Sequence, residues 1–546
     1  MNKNLYSRKQ TMKYKRIVDS LSLDELIGQL MCVNVSASMT PERFEDYCQR
    51  RKPGALFIAH IPGEKVKSFL KIANKHSPVP VIVAADIENG PGMALLDQHL
   101  LPNCMAWGAC DDPALMKVAG EQTAKISRKN GVHWTFAPII DLNKNPNNPE
   151  SNIRSISDDP DRVIRVAGAL MEGMQENGYL MTACKHFPGQ GMDDRNSHFV
   201  TVHNPLSKKE WMRTYGAVYK AMIKKGAPSI MVGHITLDAF EEERDEFFGA
   251  PPASLSKALM TDLLKEKLGF KGCIVSDAMG MIGVAARYPI DDLIVKFFNA
   301  GGDSYLFPRE NEYDRLKQAI EAGEVSMERL KDAAMRVMYL KDRARLFENE
   351  EKVLSEIEAE IPIGETGQKI ADKSIKLLRN LNGTVPVSLP QGSKVLMVNM
   401  MEDFFHKPPK GNEFAAMKEA LIQEGFEVTE LTVPSYAKIK EERDKHDLIL
   451  VNLKFSSRDY CGGALRIGWD NIDALWHAFV FQHPKVVVTS FGDPYKIHEL
   501  AYAKEYINAF SFADDSQRAV VKVILGKIPA LGKNPVDFPP YFNRED

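Results

Sequence analysis

The sequence contains few cysteines, and their spacing builds no recognisable site. Its 7 cysteines include no Cys-x-x-Cys pair, which argues against both a disulfide framework and a cysteine-rich zinc site. The histidines show no metal-ligand spacing on a helix. We therefore predict a protein of a reducing compartment, with buried thiols and no metal centre.

Charge of one sign and long hydrophobic runs are also missing. The net charge is −3 with 26% charged residues, so nothing in the charge balance points to nucleic acid or an acidic membrane surface. No apolar run approaches the length that spans a bilayer, and no apolar signal segment follows the basic residues 1–9. Neither GxGxxG nor GxxxxGK[ST] occurs, which argues against a nucleotide cofactor. We expect a cytoplasmic protein that uses no organic cofactor.

Short apolar runs, bounded by turn residues, alternate with helical patterns over the first two thirds of the chain. There are eight: Leu30–Val35, Ala55–Ile58, Val79–Ala85, Trp134–Ile140, Met181–Cys184, Ser229–Val232, Cys273–Ser276 and Ser304–Phe307. Strands that alternate with helices indicate a parallel sheet, and eight such units fit a (β/α)₈ barrel of ordinary size. The predicted fold class is α/β, with an N-terminal TIM-like (β/α)₈ barrel and a smaller C-terminal α/β sandwich domain.

The domain boundaries follow from the end of this alternation. We expect the barrel over residues 1–346, closed by a long helical stretch, then a Glu-rich linker over 347–370 and the sandwich domain over 371–546. The second domain's strand candidates are Val395–Asn399, Leu448–Asn452, Val486–Ser490 and Ile507–Ala509. Its loop 458–466 is a candidate for facing the barrel.

Polar and charged side chains stand at or just after the ends of five successive barrel strands. They are Asp86 and Glu88 after the third strand, Asp141 after the fourth, Lys185 and His186 after the fifth, His234 after the sixth and Asp277 after the seventh. Such groups would be costly inside a core, but they are expected where a barrel binds a polar ligand, because its active site lies at the carboxyl ends of the strands.

Two of these polar segments carry candidate catalytic residues. A carboxylate at a strand end, such as Asp277, can attack an anomeric carbon and form a covalent glycosyl intermediate; the alternative is a structural aspartate that caps the next helix. His198 follows the glycine-rich residues 185–191 and is a candidate general acid and base, because an imidazole titrates near neutral pH. The alternative for His198 is a solvated loop side chain.

Lys185, His186, Asp86 and Arg154 are candidates for binding vicinal hydroxyl groups, since sugars are held by fixed donors and acceptors. An internal salt-bridge network among the same groups is the competing interpretation, and the two are compatible. Glu88 fits either a ligand contact or a contact to these binding groups.

Several motifs resemble those of glycoside hydrolase family 3, and within it the NagZ-like β-N-acetylglucosaminidase branch. They are KHFPGQG at 185–191 with NSH at 196–198, PASLS at 252–256 and GFKGCIVSD at 269–277. Similar segments at 137–143, 154–155, 374–380 and 490–495 extend the likeness over almost the whole chain. The resemblance implies Asp277 as nucleophile, His198 as acid/base, Asp86, Arg154, Lys185 and His186 as ligands of the terminal sugar, and Asn196, Glu88 and His234 as candidates behind them.

Two residues depart from the pattern of this branch. Asn196 stands where the branch has an aspartate that pairs with the catalytic histidine, and Gln190 stands where the loop usually has a histidine. An amide offers no charge, so His198 should be a weaker base and less readily protonated. Asp193 and Asp194 are nearby candidates for supplying the missing charge.

The resemblance favours a retaining, exo-acting β-N-acetylhexosaminidase that hydrolyses terminal β-linked N-acetylhexosamine by double displacement. Amino-sugar oligosaccharides or muropeptides as substrates would imply cell-wall recycling or amino-sugar salvage. Three alternatives stay open: a phosphorylase, because Asn196 lowers the negative charge that phosphate would meet; a β-glucosidase-like enzyme; and a sugar-binding protein with reduced or lost catalysis, which Asn196 and Gln190 favour. The oligomeric state is not predicted.

Overall fold

The structure is a computed structural model that describes residues 7–401, 412–455, 467 and 471–538. The candidate loop 458–466 lies outside these residues. The chain forms two compact units, each of which is discontinuous in sequence. The first unit comprises Met1–His99, Met116–Asp141 and Ala167–Pro362, and the second comprises Leu100–Leu115, Leu142–Val166 and Ile363–Asp546.

The first unit is built on eight parallel strands. In chain order the strands of this unit are β1 Met31–Val35, β2 Ala55–Ile58, β3 Ile82–Ala85, β4 Trp134–Thr135, β5 Met181–Phe187, β6 Val202–His203, β7 Ser229–Val232, β8 Ile235–Thr236, β9 Cys273–Ser276 and β10 Tyr305–Leu306. The main sheet has the order β10-β1-β2-β3-β4-β5-β7-β9, and β6 pairs with β8 outside it. A parallel bridge between Val275 and Ser304 nearly closes the sheet into a barrel.

The predicted barrel is confirmed, since each of the eight apolar runs overlaps a strand of this sheet. Five of the eight strands differ from the prediction at one or both ends, among them the fourth and the fifth. Strand β4 is only two residues long, and Pro138, shortly after it, has no amide hydrogen to donate to a ladder. Strand β5 includes Lys185 and His186, which were expected to follow it, because Lys185 N donates to Pro138 O at 3.2 Å and Lys185 O accepts from Ile140 N at 2.9 Å.

Helices alternate with the strands in both units. They are α1 Arg8–Asp19, α2 Leu23–Gln29, α3 Pro41–Arg51, α4 Gly63–His76, α5 Cys104–Cys110, α6 Pro113–Lys129, α7 Pro160–Gln175, α8 Lys208–Arg213, α9 Tyr215–Lys224, α10 Ile282–Ala285, α11 Leu293–Ala300, α12 Glu310–Glu321, α13 Met327–Arg343, α14 Glu350–Ser355, α15 Ile363–Ser374, α16 Ala415–Gln423, α17 Tyr436–Glu442 and α18 Asp514–Ile524, with a π-helical stretch at Ala258–Lys267.

The Glu-rich range 347–370, predicted as a linker, contains α14 and the start of α15. Glu350, the first residue of α14, accepts a hydrogen bond at 3.0 Å from Nε of Arg128, whose side chain is completely buried. This carboxylate therefore compensates a buried charge, and α14 belongs to the packing of the first unit.

The second unit contains one mixed sheet with an apolar core on each face. Its strands are β11 Lys376–Asn380, β12 Lys394–Met401, β13 Glu427–Thr432, β14 Leu448–Lys454, β15 Val486–Ser490 and β16 Glu505–Asn508, in the order β11-β16-β15-β14-β12-β13. All neighbours are parallel except β11 and β16. The predicted α/β sandwich is confirmed, while the two edge strands β11 and β13 were not among the predicted strands.

Candidate active site

The polar residues singled out in the sequence lie at the carboxyl ends of the barrel strands. Asp86 directly follows β3, and Lys185 and His186 are among the last three residues of β5. His234 is two residues after β7, and Asp277 directly follows β9. Because the strands are parallel, these ends lie at the same face of the barrel. That face is where the candidate site is built.

Lys185 holds two carboxylates. Its Nζ lies 2.7 Å from Asp86 Oδ1 and 2.7 Å from Glu88 Oε1. Lys185 and Glu88 are buried, whereas the side chain of Asp86 is partly exposed. Glu88 therefore balances the buried ammonium, and Asp86 is the member of the triad that faces solvent and can accept from a ligand hydroxyl.

Asp141 fixes the loop that follows β5. Its carboxylate accepts from the backbone N of His186 at 3.1 Å, from His186 Nδ1 at 2.7 Å and from the backbone N of Gln190 at 2.8 Å. A carboxylate can only accept here, so Nδ1 of His186 carries a hydrogen and Nε2 is the ring atom left to meet a ligand. The buried Asp141 thus orients the imidazole and closes the loop with one side chain.

Three side chains from beyond the loop bind its carbonyl groups. Trp211 Nε1 donates to Pro188 O at 2.8 Å, Tyr215 OH to Gln190 O at 2.7 Å, and Asn204 Nδ2 to Gly189 O at 3.0 Å. Gly189 has φ +124°, and a Cβ at this position would lie 2.1 Å from the Tyr215 ring. Only glycine fits this backbone, so packing against Tyr215 accounts for Gly189.

Asp277 is held ionised by its surroundings. Burial would raise the pKa of its carboxyl, but the rings of His186 and His234 counteract this, and the net shift is downward. A bond from its neighbouring amide, Ala278 N to Asp277 Oδ1 at 2.7 Å, and the Lys185 ammonium lower the pKa further. An ionised carboxylate at the carboxyl end of a barrel strand is what a nucleophile requires.

His234 is bound through both ring nitrogens. Nδ1 lies 2.9 Å from Ser254 Oγ, and Nε2 lies 3.0 Å from Ala278 O, next to Asp277. The ring is fully buried and supports the backbone that carries the carboxylate. This geometry agrees with a supporting position behind the ligand-facing groups.

His198 is exposed and pairs with Asn196. Its Nδ1 lies 2.8 Å from Asn196 Oδ1, which also accepts from the His198 backbone N at 2.9 Å. Because an amide oxygen only accepts, the neutral ring has its hydrogen on Nδ1 and its acceptor lone pair on Nε2. Nε2 is therefore the atom that can take up and return a proton.

The carboxylate of Asp193 is engaged elsewhere. It accepts from Arg195 Nη2 at 2.6 Å and from the backbone N of His203 at 2.8 Å. Burial raises the pKa of Asp193, and the bonds from Arg195 and His203 lower it by more. The described bonds of Asp193 thus go to Arg195 and His203, and Asn196 Oδ1 lies beside Nδ1 of His198. Charge supplied by Asp193 or Asp194 stays a prediction.

The remaining predicted ligand, Arg154, lies in the second unit. It ends the 3₁₀ turn Asn152–Arg154, and its Nη1 donates to Glu150 O at 3.0 Å. A role in binding the sugar stays a prediction for this residue. The sequence, by contrast, marks Asp141 only as a strand end. Its contact with Gln190, which lies 49 residues further along the chain, leaves no trace in the local sequence pattern.

Within the described ranges, no group of three or more His, Cys, Asp or Glu side chains is placed to hold a metal ion. The same residues contain no helix with the length and apolar composition needed to cross a bilayer.

The chain matches a known family over more than half of its length, and similar proteins span nearly the whole chain. Residues 22–340 match the family described as glycosyl hydrolase family 3 N terminal domain. A β-N-acetylglucosaminidase/β-glucosidase of Cellulomonas fimi is 26% identical over 534 residues, covering 94% of this chain and 93% of that protein. Among solved structures, β-glucoside phosphorylase BglX bound to 2FGlc has a TM-score of 0.88 and 28% identity over 98% of both chains.

A third similarity supports the fold alone. The family 3 β-N-acetylglucosaminidase of Paenibacillus sp. str. FPU-7 has a TM-score of 0.81 at 24% identity, and the alignment covers 95% of this chain and 99% of that chain. The two-unit architecture is thus shared along the full length of a solved structure.

Proposed function

The chain belongs to glycosyl hydrolase family 3, and on that premise we propose that it is a retaining, exo-acting β-N-acetylhexosaminidase. The observation that carries this proposal is the environment of Asp277, whose carboxylate is kept ionised at the end of β9 by neighbouring cationic and imidazole groups. The Cellulomonas fimi relative is named for both activities, so it supports an N-acetylglucosaminide as a substrate and also makes a β-glucoside worth testing.

In the first step of the proposed mechanism, the Asp277 oxygen that does not bind the Ala278 amide attacks C1 of the terminal sugar. The bond from C1 to the leaving oxygen breaks, and protonated His198 gives that oxygen its proton from Nε2. His198 is left neutral, with its Nδ1 hydrogen directed at Asn196 Oδ1. A covalent glycosyl ester on Asp277 results.

The second step reverses the proton transfer. An acceptor oxygen attacks C1, Asp277 leaves as a carboxylate, and Nε2 of His198 takes the acceptor's proton. Retention of the β configuration follows from two inversions at C1. Asp86 and His186 are proposed to bind the sugar hydroxyls, since Lys185 and Asp141 hold them in fixed positions.

Phosphorolysis is the second candidate, and one observation favours it. The imidazole partner is the amide of Asn196 at 2.8 Å, so the acid/base pair adds no carboxylate charge where the acceptor would approach. Inorganic phosphate, an anion, is repelled less by such a pair than by a His–Asp pair. The similarity to a solved β-glucoside phosphorylase is consistent with this acceptor.

The test uses p-nitrophenyl N-acetyl-β-glucosaminide and the matching β-glucoside, each with and without inorganic phosphate. Asp277→Asn should lower kcat/KM by about a thousandfold or more, as expected for loss of a nucleophile. Asp262→Asn is the matched control, because Asp262 is exposed and pairs with Lys257 on the π-helical stretch. Formation of a sugar 1-phosphate would identify the phosphorylase, and release of free sugar at an unchanged rate would identify the hydrolase.

A 2-fluoro sugar should trap the intermediate on the peptide that contains Asp277, detected by mass spectrometry of the digested protein. Full activity of Asp277→Asn, or labelling of another carboxylate, would refute the proposal. Sugar binding by calorimetry without turnover of either substrate would support the binding-protein alternative instead.

A further inference from the structure

Large apolar side chains are exposed directly beside the acid/base residue. Phe199 is 54% exposed, Val200 is 40% exposed and Ile282 is 52% exposed. Exposed apolar residues scattered singly are ordinary on protein surfaces, but a contiguous group next to a site indicates a binding surface. Backbone contacts bring the segment with Phe199 and Val200 next to the segment with Ile282.

The two segments meet at His198 itself. Ile282 N donates to the His198 carbonyl oxygen at 3.1 Å. Gly283 packs so closely that a Cβ on it would lie 2.6 Å from Val200 O and 2.3 Å from Ser197 O. The segment around Ile282, which follows Asp277 in the chain, thus packs against the segment 197–200, which contains His198. Each segment carries exposed apolar side chains.

Arg287 joins these two segments to a third, which contains Phe248 and Ala250. Arg287 donates to Thr201 Oγ1 at 3.3 Å and to Ala250 O at 2.8 Å, and its guanidinium lies 5.1 Å from the centre of the Phe248 ring. The Thr201 hydroxyl in turn donates to Gly283 O. The cation is therefore occupied by carbonyls and a ring, so it does not make the exposed surface polar.

The chemistry of the reaction says what meets this surface. In the proposed function, His198 protonates the glycosidic oxygen, and the aglycone is bonded to that same oxygen. Groups beside His198 are therefore placed to meet the aglycone before it leaves. Exposed apolar side chains next to His198 in the chain and on the adjoining segment favour an apolar aglycone over a hydrated sugar or a charged peptide.

We propose that Phe199, Val200 and Ile282 form an aglycone site for an aromatic or alkyl group, which makes aryl or alkyl β-glycosides the preferred substrate class. This inference rests on the proposed function, since it places the leaving group at His198. It departs from the expectation that the aglycone is a further amino sugar or a muropeptide.

The experiment compares kcat/KM for phenyl and 2-naphthyl N-acetyl-β-glucosaminides, whose phenols have similar acidity but differ in apolar area. Wild type should prefer the naphthyl substrate, and Phe199→Ser with Ile282→Ser should lower the naphthyl-to-phenyl ratio by about tenfold. Phe199→Leu and Ile282→Met keep apolar surface and should largely retain the ratio. Val118→Ser is the matched control, since Val118 is 42% exposed on helix α6.

The outcomes separate the two proposals. Wild type that cleaves neither substrate would refute the proposed function. Turnover with the same ratio in wild type and the double serine variant would overturn the aglycone site alone. An equal loss on both substrates would also overturn it, because the segments would then position His198 rather than bind the aglycone. A dimer that sediments in wild type and is lost in the double variant, with an unchanged ratio, would assign the surface to a second copy of the chain.

Discussion

Replacing Asn196 by aspartate would place a carboxylate where the amide oxygen now lies, 2.8 Å from Nδ1 of His198. The change conserves shape, so the geometry of the loop should persist while the charge beside the ring changes. The proposed first step needs a protonated His198, and kcat/KM should fall at high pH as the ring loses its proton. A carboxylate stabilises the protonated ring, so Asn196→Asp should move that alkaline limb to higher pH.

The size of the shift follows from Coulomb's law. With the charges about 4 Å apart, the attraction is about 1 kcal/mol in water and about 4 kcal/mol at an effective dielectric constant of about 20. His198 is exposed, so solvent screening favours the lower end of this range. A stabilisation of about 1–2 kcal/mol corresponds to a shift of about one pH unit.

The same substitution should act on the acceptor. A phosphate bound by Nε2 would lie about 7 Å from the new carboxylate, where repulsion is about 0.5–1 kcal/mol at an effective dielectric constant of about 40–80. If the enzyme is a phosphorylase, the ratio of sugar 1-phosphate to free sugar should therefore fall about two- to fivefold, because 1.4 kcal/mol is about a factor of ten.

The assay is the pH profile of kcat/KM for an aryl glycoside with a poor leaving group, which depends most on acid catalysis. Asn177→Asp is the matched control, because it adds the same charge to an exposed residue before β5, at the opposite end of that strand from the site. An alkaline limb that does not move in Asn196→Asp, or that moves equally in Asn177→Asp, would refute the assignment of His198 as the acid.

Two further variants test the supporting structure. In Asp141→Asn, an amide N–H group would face the donors of His186 and Gln190, which now bind the carboxylate. Urea titration should therefore show an unfolding free energy lower by about 1–3 kcal/mol, and kcat/KM should fall by about tenfold or more. Burial lowers the pKa of Lys341 to about 7, beside Gln29 Oε1 at 2.6 Å. The unfolded chain then binds one more proton between about pH 7 and 10, so the unfolding free energy should rise with pH across that window; urea titrations should show a smaller rise in Lys341→Met.

The barrel could be predicted because strands buried on both faces appear as continuous apolar runs. The edge strand β13 escaped prediction for the opposite reason. Its sequence Glu427–Thr432 mixes acidic and apolar residues, and all its side chains are at least partly exposed. Strand β11 pairs antiparallel at the other edge, so the alternating pattern of strand and helix does not indicate it.

The grouping of Asp277 and Lys185 could be predicted, because residues at the carboxyl ends of parallel strands lie at the same face of a barrel. Contacts made across the sheet are different. Asp141 joins to Gln190, and Tyr215 to the loop carbonyl, only because the fold brings distant segments together. The placement of Ile282 beside His198 likewise depends on a backbone hydrogen bond between segments that are distant in sequence.

The interleaving of the two units along the chain constrains how this protein can change. The chain passes from one unit to the other five times, after residues 99, 115, 141, 166 and 362. A fragment ending at residue 346 would lack Glu350, which compensates the buried Arg128, and would retain stretches 100–115 and 142–166 without the rest of their unit. Because neither unit is one continuous segment, a single recombination event cannot move either unit intact into another gene.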